Sequence, residues 1–359
     1  MSESRRHGEP ERQDDGDPAL ARYARQVRFA PFGEEGQRKL LTSRVLVCGV
    51  GALGSVIANT LARAGVGKLR LVDRDFVELN NLQRQVLFDE RDVAANMPKA
   101  VAAAEKLRVI NSEIEIEPIV ADVGPDNIVK LCEGVDLILD GTDNFETRFL
   151  INDAAVKLGI PWVYGGCIGA EGQTLTILPR ETPCLRCVMA EPPPPGTSPT
   201  CDTAGILSPI INVVASIEAQ EGMKILAGKR EAVQRHLLIF DLWENAVRQV
   251  KLDGLRDAAD CQTCKHGDYP WLSGERAGRT AVLCGRNAVQ ISAPAGQKVS
   301  LDALAEKLAV VGKVSRNPFL LRAAIGDYLL TVFPDGRAII GGTDEEAVAR
   351  SIYAKYIGM

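Results

Sequence analysis

From Arg44 onward the chain alternates short apolar runs (45–48, 69–72 and 135–139) with amphipathic segments (55–64, 99–111 and 146–158). That alternation predicts a parallel sheet wrapped by helices. After Pro161 the texture changes to consecutive strand-like runs, 162–167 and 173–178, followed by a proline run at 192–195. Four prolines fix φ and remove amide donors, so regular structure should stop there. The long apolar stretch 204–226 predicts a mostly buried helix, and 236–243 with 247–252 a hairpin. Beyond His266 a small unit follows, with strands at 288–291, 328–333 and 338–340 around the turn Pro334-Asp335-Gly336 and helices at 301–310 and 344–357. Residues 1–20 are rich in Glu, Asp, Arg, Gly and Pro and almost free of large apolar side chains. They cannot bury enough surface to offset ordering entropy, which predicts a disordered tail. The expected architecture is an α/β domain over 21–267, its mostly parallel sheet carrying an antiparallel extension, and a small α+β domain over 268–359.

Composition narrows the function classes. A chain of 359 residues that is 46% hydrophobic and 25% charged has room for a large core and a smaller one. The net charge of −5, with no basic run, argues against nucleic acid and for a small-molecule or protein partner. No apolar stretch approaches the roughly 20 residues of a membrane span, and there is no leader pattern, so a cytoplasmic protein is expected. Nine cysteines in a reducing compartment are not a disulfide framework. Cys48, Cys132, Cys167 and Cys284 lie in or beside apolar segments, as small buried hydrophobes do.

Two C-x-x-C pairs stand apart from these: Cys184/Cys187 and Cys261/Cys264. Each such turn presents both sulfurs to one point, so the two pairs can close a tetrahedral four-thiolate zinc site; the competing reading is a redox dithiol. A closed site leaves no position for substrate, so its zinc would tether the chain without catalysing anything.

The turn Gly49-Val50-Gly51-Ala52-Leu53-Gly54 lies between an apolar strand and a helix, where glycine lets the backbone approach phosphate or ribose. The acidic residue expected about 20 positions on to hold ribose hydroxyls is present as Asp73. These features make the sheet Rossmann-like. Three further segments, Asn80 to Gln85, Pro98-Lys99 and Asp140 to Asn144, should fall at its carboxyl edge, where ligands bind. Two cations, Arg84 and Lys99, with a carboxylate able to hold Mg²⁺, Asp143, suit phosphoryl or nucleotidyl transfer, in which charge spreads over phosphate oxygens. Each also has a plainer reading: a surface ion pair, a solvated lysine, a helix N-cap.

The ordered series Arg22-Tyr23-Ala24-Arg25-Gln26, Gly49-x-Gly51-x-x-Gly54, Asp73-x-Asp75, Asn81-Leu82-x-Arg84-Gln85, Pro98-Lys99, Thr142-Asp143-Asn144 and the paired C-x-x-C resembles the ThiF/MoeB/HesA adenylyltransferases, relatives of the ubiquitin-activating enzymes. The resemblance covers roughly residues 21–266. It implies binding of ATP·Mg²⁺, adenylation of the C-terminal glycine of a small ubiquitin-like sulfur carrier protein ending in Gly-Gly, and a homodimer. It also implies nucleotide contacts at Gly49, Gly51, Gly54, Asp73, Asp75, Asn81 and Asn144. Asp73 would hold the ribose, Arg84 and Lys99 the phosphates and Asp143 the Mg²⁺, while Arg25 would reach the ATP of the opposite subunit. The family carries a structural Zn²⁺ at the paired C-x-x-C. One departure is Ala94-Ala95-Asn96-Met97 before Pro98, where the family has a shorter Gly-containing turn.

Cys201 sits alone between the prolines and a long apolar helix, where a helix N-terminus would lower a thiol pKa. In family members a matching loop cysteine performs thioester, persulfide or acyl-disulfide chemistry; the plainer reading is a loop cysteine beside a capping Asp202. Trp162, Trp243, Trp271, His236 and His266 give no convergent signal. The small terminal domain is expected either to dock the partner or to stabilise the dimer. Two other functions remain open on these residues, a nicotinamide-dependent oxidoreductase and a catalytically silent scaffold that binds ubiquitin-like proteins.

Overall fold

The computed structural model describes residues 17–193, 204–276, 280–283, 287–291 and 299–357. Cys201, Asp202, Cys284 and the end of the proline run therefore lie outside the described residues, as do residues 1–16. Asp17 caps a short 3-10 turn, Pro18–Tyr23, whose Leu20 and Tyr23 are buried.

Eight strands form the large sheet: β1 (Arg44–Cys48), β2 (Lys68–Asp73), β3 (Glu115–Val120), β4 (Leu137–Asp140), β5 (Trp162–Ile168), β6 (Glu171–Ile177), β7 (Leu237–Asp241) and β8 (Ala246–Val250). Their order is β3-β2-β1-β4-β5-β6-β7-β8. Pairing is parallel from β3 through β5 and antiparallel from β5 to β8, as the pattern predicts. β1 explains the continuous apolar runs. Its Val45 and Val47 pack into one core with α1 (Ala52–Ala64) and α2 (Lys99–Ile110), while Leu46 and Cys48 pack into a second core with α3 (Phe145–Leu158). A strand covered on both faces has no solvent side to make polar.

Within the large domain, two of the departures from the expected elements have a clear cause. β3 was not anticipated, because Pro118 interrupts its apolar pattern; as the sheet's edge strand it tolerates a missing donor. The long helix α4 (Ser208–Leu226) begins later than 204, with Pro209 in its first turn; Gly205 has φ +75 and Ile206 instead bridges Gly169.

The second sheet is antiparallel, ordered β11-β12-β13-β14-β10-β9. It comprises β9 (Thr280–Leu283), β10 (Ala288–Ile291), β11 (Lys313–Arg316), β12 (Leu321–Ile325), β13 (Tyr328–Val332) and β14 (Ala338–Gly341). Helices α5 (Leu301–Ala309) and α6 (Glu346–Tyr356) pack on it through a separate core that includes Leu304, Leu308, Val332 and Ile352. A smaller apolar cluster, Phe76, Leu320, Phe333 and Ile339, joins the two sheets. Trp162 and Trp271 are buried, whereas Trp243 is 75% exposed. Among the described residues no helix is long and apolar enough to cross a membrane.

Candidate active site and metal centre

The carboxyl ends of β2, β1 and β4 lie side by side, and the glycine-rich turn closes over them. Gly49 has φ +84, and a Cβ there would lie 2.6 Å from the Gly141 carbonyl oxygen. A Cβ on Gly54 would lie 1.9 Å from the Gly49 carbonyl oxygen, so this glycine is required for packing of α1 against its own loop. Gly51 differs. The nearest atom to a Cβ there is Gln85 Nε2, 3.8 Å away, which leaves space at the N-terminus of α1. Gln85 is buried, and its Oε1 has no hydrogen-bond partner among the described residues. A cradle with room above the backbone and an unsatisfied acceptor beside it fits a nucleotide. Gly54→Ala is expected to cost at least about 1–3 kcal/mol through overpacking and to distort the cradle, measurable by thermal unfolding.

Asp73 ends β2 and ties the cradle to it. Val50 N–H donates to its Oδ2 and Asp75 N–H to its Oδ1, each at 2.7 Å. Burial pushes the Asp73 carboxyl up, Lys99 pulls it down and Asp75 raises it again, leaving it above the ordinary range. Each carboxylate oxygen keeps a second lone pair for a hydroxyl.

Lys99 is the first residue of α2, after Pro98, and its side chain is only 5% exposed. Its Nζ lies 3.3 Å from Asp75 Oδ2, and its amide donates to the Asp75 carbonyl at 2.9 Å. A lysine so buried is not a solvated surface residue. The departure at 94–97 resolves as the end of a short helix, Glu90–Ala94, followed by Asn96 at φ +48. Asparagine tolerates that conformation, so it makes the turn a glycine makes elsewhere.

Asn81 is turned into its own loop. Its Oδ1 accepts from Glu78 N–H (3.3 Å) and its Nδ2 donates to Asn80 Oδ1 (2.9 Å). Arg84 is half-buried and donates from Nη1 to the Asn80 carbonyl at 2.8 Å. At the end of β4, Asp140 is fully buried. It accepts from the Thr142 amide (2.9 Å) and hydroxyl (2.6 Å) and from Arg148 Nε (3.1 Å). Asn144, not Asp143, caps α3, accepting from Thr147 N–H at 2.8 Å. Asp143 is exposed and acts on two guanidinium groups, the half-buried Arg74 and the buried Arg148. Burial works against the charge of Arg74, but Asp122, Asp75 and Asp143 outweigh it; Asp140, Tyr164 and Asp143 do the same for Arg148. Asp140 is thus committed to the fold, and Asp143 is the carboxylate presented outward.

Sequence patterns set Gln85 and Asp140 within segments at the ligand edge without giving either a role, and did not single out Arg148 or Glu218. Arg148 also donates to the carbonyls of Thr142 (2.8 Å) and Gly165 (3.0 Å) and faces the rings of Phe145 and Tyr164. Glu218 of α4 lies against Gly165 with neither oxygen hydrogen-bonded among the described residues, and burial, then Asp140, push its carboxyl well up. A glutamate in an otherwise apolar stretch was the available signal. Arg25 is exposed on the short helix Ala24–Val27.

The four C-x-x-C sulfurs converge within 4.8 Å of one another. The sulfurs lie 3.8 Å (Cys184–Cys187), 3.5 Å (Cys184–Cys261) and 3.3 Å (Cys187–Cys264) apart. Tetrahedral zinc at about 2.3 Å from each sulfur spaces them about 3.8 Å apart, so the set fits that ion with small adjustments. The cluster is built onto α3. Leu185 N–H donates to Asn152 Oδ1 (2.8 Å), Arg186 Nη1 to Thr263 Oγ1 (2.9 Å), and Thr263 Oγ1 to Asp153 Oδ1 (3.2 Å). Cys48 and Cys132 are buried and Cys167 is half-buried.

A parallel sheet with a glycine cradle, a buried lysine and an outward carboxylate on one edge defines a nucleotide-binding α/β protein suited to chemistry at phosphate. The ThiF family matches residues 23–263, and the chain belongs to it. It is 46% identical over 338 residues to the sulfur carrier protein ThiS adenylyltransferase of Bacillus subtilis, spanning 94% of this chain and 99% of that protein. The SAMP-activating enzyme E1 of Haloferax volcanii is 41% identical over 69% of this chain and 90% of its own length. The sulfur carrier protein adenylyltransferase of Thermus thermophilus is 38% identical over 70% of this chain and 92% of its own length. Among solved structures, that of E. coli MccB with MccA-N7isoASN is 22% identical with a TM-score of 0.59, covering 70% of this chain and 76% of that one. It shares the fold.

Proposed function

We propose that this protein uses ATP to adenylate the C-terminal glycine carboxylate of a small ubiquitin-like sulfur carrier protein ending in Gly-Gly. The similarity to the B. subtilis adenylyltransferase along nearly the whole of both chains carries this reading. A carboxylate oxygen of the carrier attacks the α-phosphorus of ATP, the bond from that phosphorus to the bridging oxygen breaks, and acyl-adenylate and pyrophosphate result. Such a displacement needs position and charge stabilisation more than a general base. The glycine cradle and Asp73 hold the nucleoside end, while Lys99 and Arg84 draw negative charge off the phosphates. Asp143 would hold Mg²⁺, which neutralises charge on the departing pyrophosphate. Cys184, Cys187, Cys261 and Cys264 would hold one structural Zn²⁺. The nicotinamide and scaffold alternatives gain no support from the relatives.

Carrier-dependent exchange of labelled pyrophosphate into ATP tests the reading, because hydride transfer and passive binding produce none. Its absence with a panel of Gly-Gly-ending carriers would sink the proposal. We place the enzyme in the cytoplasm as a homodimer with Arg25 acting across the interface. Co-expressed Arg25→Ala and Asp143→Asn subunits should then recover part of the activity each homodimer lacks, since one hybrid site regains both groups. No recovery in demonstrated heterodimers would refute the shared site.

Cys201 is the candidate nucleophile for thioester or persulfide transfer after adenylation. Cys201→Ala should leave adenylate formation intact while abolishing any thiol-sensitive enzyme–carrier adduct on non-reducing electrophoresis. An adduct that persists in the variant removes Cys201 from the mechanism.

A further inference from the structure

The second sheet touches the large one at the two loops that place Lys99. Arg337 follows the Pro334-Asp335-Gly336 turn, and its side chain is only 4% exposed. Its Nη2 donates to the main-chain carbonyl of Arg74 at 2.9 Å. Arg74 is the residue between Asp73 and Asp75. The Arg74 side chain is fixed from the same direction: its Nη1 donates to Asp122 (3.1 Å), and Gln290 Nε2 of β10 donates to Asp122 Oδ2 (2.6 Å).

The second loop is held by the same sheet. Asn317 Nδ2 donates to the carbonyls of Ala95 (3.2 Å) and Asn96 (2.9 Å), and Arg322 Nη1 to Asn96 Oδ1 (2.7 Å). Asn96 is the left-handed residue that turns the chain into Pro98-Lys99. The two loops meet through Val77 N–H to the Met97 carbonyl and Lys99 N–H to the Asp75 carbonyl, both 2.9 Å.

Docking does not rest on this arginine alone, although its guanidinium stacks on Phe333. The apolar cluster of Phe76, Leu320, Phe333 and Ile339 already joins the sheets, whereas burying a guanidinium costs free energy unless its donors are well used. Arg337 Nε makes no hydrogen bond among the described residues and lies 3.8 Å from Asp335 Oδ2, Nη1 reaches Gln290 Oε1 at 3.5 Å, and the guanidinium stacks 3.7 Å over the Phe333 ring. The bond it does make well is aimed at the main chain between two site carboxylates.

We propose that Arg337 is a positioning residue for ATP binding, holding the Arg74 main chain so that Asp75 presents Lys99 to the phosphates, with Asn317 securing the opposite loop. This assignment rests on the reading that ATP occupies the cradle. It gives the small terminal sheet a task within its own subunit's site, beyond carrier docking or dimer stabilisation.

Calorimetric titration of the full-length protein with Mg²⁺-ATP tests it, with thermal unfolding measured on the same samples. Arg337→Met keeps the side-chain bulk and removes the donors; it should weaken ATP binding about tenfold, the scale of one charged hydrogen bond. Arg337→Lys restores a donor toward the Arg74 carbonyl and should recover part of that loss. Asn317→Asp keeps the acceptor for the Phe319 and Leu320 amides, removes the donor to the Lys99 loop, and should also weaken binding several-fold. It decides the matter if Arg337→Met does not fold. ATP affinity within twofold of wild type in Arg337→Met, or in Asn317→Asp when only that variant folds, overturns the proposal. So does a loss equal in the Met and Lys variants that follows a fall in melting temperature. A wild type that binds ATP yet exchanges no pyrophosphate removes the adenylation reading and leaves this comparison intact; one that binds no ATP removes both.

Discussion

Lys99→Met is expected to lower carrier adenylation at least about 100-fold, the scale for losing one electrostatic contact to transition-state charge. Methionine fills the space of the buried stem, so the loss falls on charge. Asp75 would then face Asp73 with no ammonium 3.3 Å away, and the edge of the site would become an electrostatic obstacle to phosphate. Arg84→Ala and Asp143→Asn should fall by a similar factor while folding normally. The reason for Asp143 is specific: Asn144 supplies the α3 cap, so Asp143 has no structural task there to lose. Single-turnover adenylation alongside thermal unfolding separates the cases. Near-normal turnover in Lys99→Met would remove the lysine from its phosphate role.

Cys184→Ser or Cys264→Ser should produce the largest loss of stability. Purified wild type should carry about one zinc per chain, and structural zinc sites contribute on the order of 10 kcal/mol of binding free energy to folding. The four sulfurs draw together residues 77 apart, and through Asn152 and Asp153 they fasten that crossing to α3. A serine variant should lose its zinc and either precipitate or melt well below wild type. Activity would fall through the fold. Elemental analysis that finds no zinc in protein prepared without chelator would overturn the structural-site reading.

The parts legible in the sequence are those whose cause is local. Runs such as Val45–Val47 are apolar because both faces of β1 are covered, and the glycines at 49 and 54 are needed within one turn. β3 was hidden because an edge strand can keep Pro118, and β11, Lys313–Arg316, because it contains a single apolar residue. Within the site, Asp143 and Asp140 look equivalent in a string of letters. Only the Thr142 and Arg148 hydrogen bonds show that Asp140 is already committed. The contact of Arg322 with Asn96 spans 226 positions, so no spacing rule could suggest that the terminal sheet braces the loop before Lys99.

Intact-mass spectrometry of the carrier after incubation with enzyme, Mg²⁺-ATP and inorganic pyrophosphatase looks straight at the proposed bond between AMP and the carrier's last glycine. The carrier should gain the mass of one adenylyl group on its C-terminal residue with wild type and not with Lys99→Met. A carrier of unchanged mass, under conditions where the enzyme binds both ATP and carrier, would contradict it.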